Sequence, residues 1–263
     1  MPQITHAGLT EALQDVSERF VSLLRSSANV DGPAIGDWTV GDVAAHLAQV
    51  TEVDCTIARG GGSPVEDHLR LDDSWARMLA DDPERNPWVL AERIERASTE
   101  LRDLLAAEDL ERVVEWHGGV PISIGALGAV LINEFEIHGL DVAQAAGRPW
   151  TYPQAHALIA IEGLLSLAPH YLNKQKSAGF RATYEVRPKG GRPAWVRFDD
   201  GLVTVHSETP GPVDCRLSID PVMYALVAFG RRSKWEAIGK GKVVAWGRRP
   251  WLGLKFASMF IPT

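Results

Sequence analysis

The chain has 263 residues, of which 45% are hydrophobic and 23% are charged, and its formal net charge is −7. This balance indicates folded domains with buried cores and excludes a disordered chain. The charge is unevenly distributed, because residues 1–150 carry 26 acidic and 11 basic side chains and residues 151–263 carry 8 and 16. The net charges of −15 and +8 predict two domains, at 1–150 and 151–263, which fits the usual domain size of about 100–200 residues.

The chain shows no pattern typical of a membrane or secreted protein. Its longest apolar stretch, Pro121–Ile132, is shorter than the about 20 residues that a membrane helix needs. No basic segment followed by an apolar run is present near Met1. The two cysteines, Cys55 and Cys215, lie in different halves, which fits a reducing compartment better than a disulfide framework. We therefore expect a cytoplasmic protein without a membrane span.

The acidic half has the pattern of a helical bundle, because apolar residues recur at helical spacing along most of residues 1–150. Main helices are predicted to begin near Leu9, at Thr39 with Asp42 as a short capping-box partner, at Asn86-Pro87 and at Ser123, and a further helix covers about 65–80. Four main helices of this length predict an all-α up-down four-helix bundle.

The basic half combines helices with short strands. A helix is predicted over about 153–172, and strand-like segments follow at 180–187, 194–199, 202–208 and 213–219. Asp199-Asp200-Gly201 is a hairpin turn signal. A helix from Asp220-Pro221 to about residue 229, a short strand near 242–246 and a last helix over 250–260 follow. This order predicts a smaller α+β domain.

Three polar residues interrupt the apolar faces of the predicted bundle helices. His46, Glu134 and His138 each lie on a stripe that should face the core, where an unpaired carboxylate costs several kcal/mol. Glu134 and His138 are four residues apart and share one helix face, whereas Glu136 lies about 200° away and is the poorer candidate. Two imidazoles and one carboxylate suit a divalent metal, Zn²⁺ or non-haem iron alike, with coordination positions left open.

Structural roles stay open for the same residues. A Glu–His pair at this spacing is as often a surface pair, and a lone histidine on an apolar stripe, such as His46, is more often a hydrogen-bonded core residue. The combination of all three on inward faces of two helices favours the metal. Cys55 lies about 13.5 Å from His46 along the helix axis, so we expect it to be a small buried thiol outside the site.

Two sequence segments carry a family resemblance. Asp37–Ala48, with the sequence DWTVGDVAAHLA, and Asn133–Ala143, with the sequence NEFEIHGLDVA, closely resemble the signature segments of the mycothiol-dependent maleylpyruvate isomerase family. Members of that family are DinB-like, metal-binding four-helix bundles. The resemblance covers roughly residues 5–150, with both segments in the right order and at a fitting separation.

The resemblance implies that His46, Glu134 and His138 are zinc ligands. Trp38, Thr39 and Asp141 also match the family pattern. For these three, the resemblance leaves functional roles open beside purely structural ones, namely packing, helix capping and an exposed helix charge.

The second half is similar to a sterol carrier protein type 2-like domain, which members of this family often carry behind the bundle. The similarity rests on the segments Val213–Asp220, Ala228–Arg231 and Gly239–Val243. These segments are patterns of small and apolar residues, so they are less specific than the two segments of the first half.

The chemistry implied is that of a thiol-dependent enzyme. A bound metal lowers the pKa of a coordinated thiol, and the sequence supplies no obvious nucleophile of its own at the site. The family resemblance implies mycothiol as the cosubstrate, whose metal-bound thiolate would add to an electrophilic small acid. In an isomerase the thiolate leaves again after bond rotation, whereas in a mycothiol S-transferase or detoxification enzyme the adduct is kept.

Two further residues are candidates for the reaction. His117, in the predicted loop Trp116–Pro121, is a candidate proton donor or substrate-orienting group. Arg231, with its neighbour Arg232, is a candidate partner for carboxylates of the anionic substrate or the thiol, because guanidinium pairs with carboxylate bidentately. A loop histidine without a role and a solvated helix end are the structural alternatives.

Other classes of function compete with the enzyme. The second domain suits a carrier of a lipid or another apolar ligand, with the bundle as a structural partner. Its basic residues and interspersed tryptophans are typical of single-strand binding, but the attached acidic half would repel a phosphate backbone, so nucleic acid is the poorer partner. A regulatory protein without turnover is the third alternative, and the sequence fixes neither the substrate nor the oligomeric state.

Overall fold

The computed structural model describes residues 4–26 and 29–261. They belong to two compact units, one of which runs from Ile4 to His156, while the other begins at Ala157. The first unit thus includes residues 151–156, which the charge pattern assigned to the second half. The predicted domains at 1–150 and 151–263 stay a prediction.

The first unit is built mainly from helices. They are α1 (His6–Ser26), α2 (Val40–Ala58), α3 (Leu71–Asp81), α4 (Pro87–Ala107) and α5 (Ile124–Ala145). Helices α1 and α2 each pack against both α4 and α5, and α3 packs against α2. The interior is filled by fully buried side chains that include Leu13, Phe20, Leu47, Leu101 and Phe135.

Local capping residues set the beginnings of three helices. Before α2, the Asp42 amide donates to Thr39 Oγ1 at 3.1 Å and the Thr39 amide donates to Asp42 Oδ2 at 2.9 Å, which forms a complete capping box. Asn86 accepts from the Trp88 amide before α4, and Ser123 caps α5. The helix starts predicted at Thr39, Asn86 and Ser123 are confirmed.

The first unit also contains strands, so the all-α prediction for it was incomplete. Strands β1 (Pro33–Ile35) and β2 (Trp38–Thr39) form one antiparallel pair, and β3 (Val113–Glu115) and β4 (Pro121–Ser123) form another. The predicted loop Trp116–Pro121 forms the connection of the β3–β4 hairpin, and its last residue already belongs to β4. A 3-10 turn closes it, in which two glycines adopt φ values of +65° and +75° that side chains with a Cβ rarely adopt.

The second unit contains a five-stranded mixed sheet. Its strands are β5 (Arg181–Pro188), β6 (Ala194–Asp199), β7 (Val203–His206), β8 (Cys215–Ile219) and β9 (Val243–Trp246), in the order β7-β6-β5-β8-β9. Strands β5 and β8 run parallel, and the other neighbours are antiparallel. The predicted hairpin turn joins β6 to β7, with Asp200 and Gly201 at positive φ. The predicted α+β character of this half is confirmed.

Helices accompany the sheet. They are α6 (Gln154–Leu167), within which the division between the units falls, α7 (Lys174–Ser177), α8 (Pro221–Ala228), α9 (Lys234–Gly239) and α10 (Gly253–Phe256). Helix α9 was not predicted, and residues 250–259 form two 3-10 turns around α10 instead of one helix. A Cβ on Gly253 would clash with Ala245 of β9, which shows how closely this segment lies on the sheet.

Aromatic rings fill the core of the second unit. Phe198 packs against Tyr184, Phe256 and Phe260 at ring-centroid distances of 5.6–6.2 Å. This packing stabilises the sheet by burying large apolar surfaces. The likeness to sterol carrier protein type 2 stays a prediction. Within the described residues, no helix has both the length and the apolar character needed to cross a membrane.

Candidate metal centre

Two helices bring the three predicted ligands together. His46 lies on α2, whereas Glu134 and His138 lie one turn apart on α5. Glu134 Oε2 is 3.7 Å from His46 Nε2 and 3.5 Å from His138 Nε2. One ligand atom from each residue lies within 4.8 Å of the others. The arrangement is therefore a compact group of two imidazoles and one carboxylate.

The distances in this group suit a shared ion better than direct hydrogen bonds. Separations of 3.5 and 3.7 Å between nitrogen and oxygen are longer than the 2.7–3.2 Å typical of a hydrogen bond. Two ligands that each lie about 2.1 Å from one tetrahedral Zn²⁺ are about 3.4 Å apart. The donor set and its spacing thus fit a divalent metal held by His46, Glu134 and His138.

A second carboxylate supports one of the imidazoles. Asp141, on the next turn of α5, accepts a hydrogen bond from His138 Nδ1 at 3.2 Å. This bond leaves His138 Nε2 facing Glu134, which is the arrangement that metal-binding histidines commonly show. Among the described residues, Nδ1 of His46 has no hydrogen-bond partner. Asp141 therefore contacts one of the three predicted ligands directly, in addition to matching the family pattern.

Burial and mutual charge govern the protonation of the group. Burial acts to raise the pKa of Glu134, but the two neighbouring imidazoles lower it by more. The pKa of Glu134 therefore lies below the ordinary range. Burial lowers the pKa of His46. Burial also acts to lower the pKa of His138, yet Asp141 and Glu134 outweigh it and raise the value. The group therefore favours an ionised carboxylate.

Two tryptophan rings contact the imidazole of His46. The Trp38 centroid lies 5.1 Å from it and the Trp75 centroid 4.9 Å from it. Trp38 also stacks on His138 at 6.3 Å. The side chains of Glu134 and His138 keep exposures of 20% and 12%. The group is thus shielded by aromatic rings around His46 and reached by solvent at α5.

His117 contacts Trp75, the same tryptophan that contacts His46. Its ring centroid is 5.5 Å from that of Trp75 and 4.2 Å from that of Trp116, on which it stacks. The residue is 1% exposed. Burial lowers the pKa of His117 to about 4, with a further contribution from His46. The imidazole is therefore neutral at pH 7.

A pH dependence of stability follows from this shift. The ordinary pKa of histidine is about 6.5, so between pH 6.5 and 4 the unfolded chain binds a proton that folded His117 does not. The stabilisation is complete above pH 6.5 and is lost as the pH falls. We expect a loss of about 2 kcal/mol between pH 7 and pH 5 from this residue, measurable by urea unfolding with a chelator present.

The control for this measurement is a second histidine. His117→Gln should flatten the dependence between pH 7 and pH 5, whereas His6→Gln, at an exposed position, should keep the wild-type slope. Equal slopes for His117→Gln and the wild type would contradict the assignment.

Asp54 is a buried carboxyl group that the sequence analysis did not single out. It lies on α2, is 3% exposed, and its Oδ1 has no hydrogen-bond partner among the described residues. Burial and the charge of Glu134 raise its pKa well above the ordinary value, although a hydrogen bond from Trp116 lowers it. These surroundings favour the protonated acid. An aspartate in a helical pattern gives no sequence signal for such a site.

A second cluster lies on the opposite face of α5. The carboxylate of Glu136 is fully buried and accepts hydrogen bonds from Arg19 Nη2 at 2.5 Å, His156 Nδ1 at 2.7 Å and Trp150 Nε1 at 2.9 Å. Asp15, Glu136 and His156 are close enough to hold an ion. The Arg19 guanidinium already neutralises Glu136, however, so this cluster is the poorer metal site.

Trp150 also lies directly against α5. A Cβ on Gly139 would overlap the Trp150 ring. The guanidinium of Arg19 also contacts this ring, at 4.5 Å from the ring centroid. The close approach requires glycine at position 139. The face of α5 that carries Glu136 and Gly139 is therefore covered by Trp150, which follows the end of that helix in the chain.

Comparison with known families identifies the chain. The family model for the mycothiol maleylpyruvate isomerase N-terminal domain matches residues 10–143, more than half of the chain. The chain belongs to this family. A search of curated proteins found no significant match.

Solved structures of the mycothiol-dependent maleylpyruvate isomerase share the fold of this family member. One crystal structure is 15% identical and covers 93% of this chain and 95% of that chain, with a TM-score of 0.56. A histidine-to-alanine mutant of the isomerase is 14% identical, with the same coverage and TM-score. The likeness spans nearly the whole length of both chains and concerns the fold.

Two further residues were considered from the sequence of this family member, Cys55 as a small buried thiol and Arg231 as a candidate partner for a carboxylate. Cys55 is buried, its Sγ lies 3.1 Å from the carbonyl of Ala97, and burial raises the pKa of its thiol to about 12. Arg231 belongs to the second unit, where its Nη1 donates to the carbonyl of Phe229 at 2.6 Å. A role of Arg231 with substrate stays a prediction.

Proposed function

We propose that this chain is a mycothiol-dependent enzyme of the maleylpyruvate isomerase type, in which His46, Glu134 and His138 hold a divalent metal, Zn²⁺ in the first place. The observation that carries the proposal is the convergence of these three side chains, with Asp141 behind His138, in a member of this family. Such a metal, when bound, lowers the pKa of a coordinated thiol and favours the thiolate.

The nucleophilic thiol comes from a cosubstrate in this proposal. Cys55 is buried and strongly disfavours its thiolate, and Cys215 is fully buried in the second unit. Neither cysteine is therefore a suitable nucleophile. Mycothiol is the low-molecular-weight thiol that the family and its structural relatives name.

The residues around the group have separate roles. Trp38 and Trp75 exclude water from the side of His46, which strengthens electrostatic interactions there. The partial exposure of Glu134 and His138 leaves a side on which thiol and substrate enter. Asp141 holds the His138 ring in position.

The substrate proposed is a small, electrophilic, anionic acid. His117 orients it as a buried polar group of the first unit. Because Asp54 favours its protonated form, it is a group that can hold a proton in the interior of the first unit.

The test is an assay of the purified full chain with maleylpyruvate and mycothiol, with and without added Zn²⁺. We expect isomerisation that needs both the thiol and the metal, because the chain supplies no accessible thiolate. A chelator should abolish the activity and Zn²⁺ should restore it. Turnover without mycothiol, or unchanged turnover after complete metal removal, would contradict the proposal.

The same assay separates the S-transferase alternative. Mass spectrometry of the reaction mixture shows whether mycothiol is recovered unchanged or retained in an adduct. Recovery with isomerised product supports the isomerase. A stable adduct identifies an S-transferase that uses the same metal group, and overturns the isomerase assignment alone.

A further inference from the structure

The loop between α2 and α3 contacts the turn that carries His117. Ser63 Oγ lies 2.7 Å from His117 Nδ1, across 54 residues of sequence. The Ser63 hydroxyl also accepts a hydrogen bond from the Val65 amide at 3.1 Å. A single serine oxygen thus connects its own loop to one specific nitrogen of the imidazole.

The donors and acceptors of Ser63 bear on the direction of the Ser63–His117 bond. A serine hydroxyl has one hydrogen to donate and two lone pairs to accept. The Val65 amide already uses one lone pair of Ser63. Among the described residues, His117 Nδ1 lies within hydrogen-bond distance of the Ser63 hydroxyl. Donation to Nδ1 uses the hydroxyl hydrogen as well as this lone pair, and it places the proton of the neutral imidazole on Nε2.

The backbone holds this contact in place. The Gly118 amide donates to the Val65 carbonyl at 2.9 Å, which ties the turn to the loop beside Ser63. A Cβ on Gly118 would lie 2.9 Å from the His68 amide nitrogen, so the approach depends on glycine there. Two tryptophan rings pack against the His117 ring. The imidazole thus has one fixed orientation.

We infer that Ser63 is a positioning residue that fixes the tautomer of His117, so that His117 presents an Nε2–H as a neutral hydrogen-bond donor to the substrate. This inference rests on the proposed function for the substrate and on the geometry for the tautomer. Among the described residues, none accepts a hydrogen bond from His117 Nε2. That nitrogen is thus available to an oxygen of a bound acid.

The assignment separates two roles for His117. A general acid must carry a proton that it gives up, whereas a neutral imidazole donor only polarises the oxygen that it contacts. The burial that lowers the pKa of His117 to about 4 agrees with the second role. His117 therefore orients and polarises, and the proton donor considered from the sequence alone is the poorer assignment.

Nuclear magnetic resonance tests the tautomer without any substrate. In ¹⁵N-histidine-labelled full-length protein at pH 7, long-range ¹H–¹⁵N spectra distinguish protonated from unprotonated ring nitrogens, and His117→Gln assigns the signal. We expect His117 with unprotonated Nδ1 and protonated Nε2, both with and without Zn²⁺. Ser63→Ala should shift it toward a tautomer mixture, and Ser63→Thr should restore the wild-type pattern.

The matched control is Ser98→Ala, a buried serine on α4 whose hydroxyl has no partner among the described residues. It should leave the His117 signals unchanged. A protonated Nδ1 in the wild type would overturn the inference, as would an unchanged tautomer in Ser63→Ala.

Kinetics test the link to catalysis. With mycothiol and maleylpyruvate, Ser63→Ala should lower kcat/KM about fivefold, the effect of losing one hydrogen bond of ordinary strength, while the bound metal stays constant. Ser63→Thr should recover most of it, and Ser98→Ala should match the wild type. An altered tautomer with unchanged kcat/KM would overturn the catalytic part of the inference. An inactive wild type with the expected tautomer would instead count against the proposed function.

Discussion

Replacing His46 or His138 by alanine is expected to remove the bound metal and to reduce turnover more than about 100-fold. The reason is that each imidazole supplies one of the three protein ligands that surround a common point, and changes even behind a ligand cost about 10–100-fold in metal affinity. The measurement is the metal content of protein purified without added metal, together with kcat/KM for maleylpyruvate with mycothiol. The wild type should contain about one equivalent.

Two further variants are expected to have a smaller effect or none. Asp141→Asn should keep the three ligands and lose about 10–100-fold in metal affinity, because Asp141 supports the ligand His138 through a hydrogen bond. His6→Ala removes an exposed histidine and should change nothing. If the double variant His46→Ala/His138→Ala retains a full equivalent of metal, the ion binds elsewhere, and the cluster around Glu136 becomes the next site to test.

Arg19→Met is expected to destabilise the first unit by about 3 kcal/mol. The carboxylate of Glu136 is fully buried and has the Arg19 guanidinium at 2.5 Å, and removal of one partner leaves a buried charge without its counterion. Methionine keeps most of the apolar volume of the arginine side chain, so the loss reports mainly on charge. Urea unfolding at pH 7 measures it as a shift of the midpoint with an unchanged slope.

The matched control is on the same helix. Arg25 of α1 forms an ion pair with Glu95 at 2.7 Å, but both side chains are substantially exposed. Arg25→Met should therefore change the unfolding midpoint little, because water screens exposed pairs. If the two variants lose the same stability, burial of Glu136 does not determine the stability that its ion pair with Arg19 contributes.

Local signals in the sequence predicted much of the fold. Thr39, Asn86 and Ser123 begin their helices through hydrogen bonds to the next few residues, so short segments suffice to recognise them. The strands of the second unit follow from alternating side chains and the Asp200–Gly201 turn. The β3–β4 hairpin was missed because its strands have only three residues each and leave no periodicity to detect.

The candidate site was predictable only in part for a related reason. His46, Glu134 and His138 interrupt apolar stripes, and that contrast is visible in a single sequence. Trp75 and Ser63 do not interrupt any apolar stripe, so the sequence pattern does not mark them. Their contacts with His46 and His117 span 29 and 54 residues, and only the tertiary fold creates them.

The close approach of Trp150 to Gly139 couples two positions that evolution can change only together. Helix α5 carries Glu134 and His138 on one face, and on another face Gly139 leaves room for the indole ring. A larger residue at position 139 would push the helix away or rotate it, and the ligands with it. In chains of this family we therefore expect glycine at this position to accompany tryptophan at position 150, and bulkier residues to accompany a smaller partner.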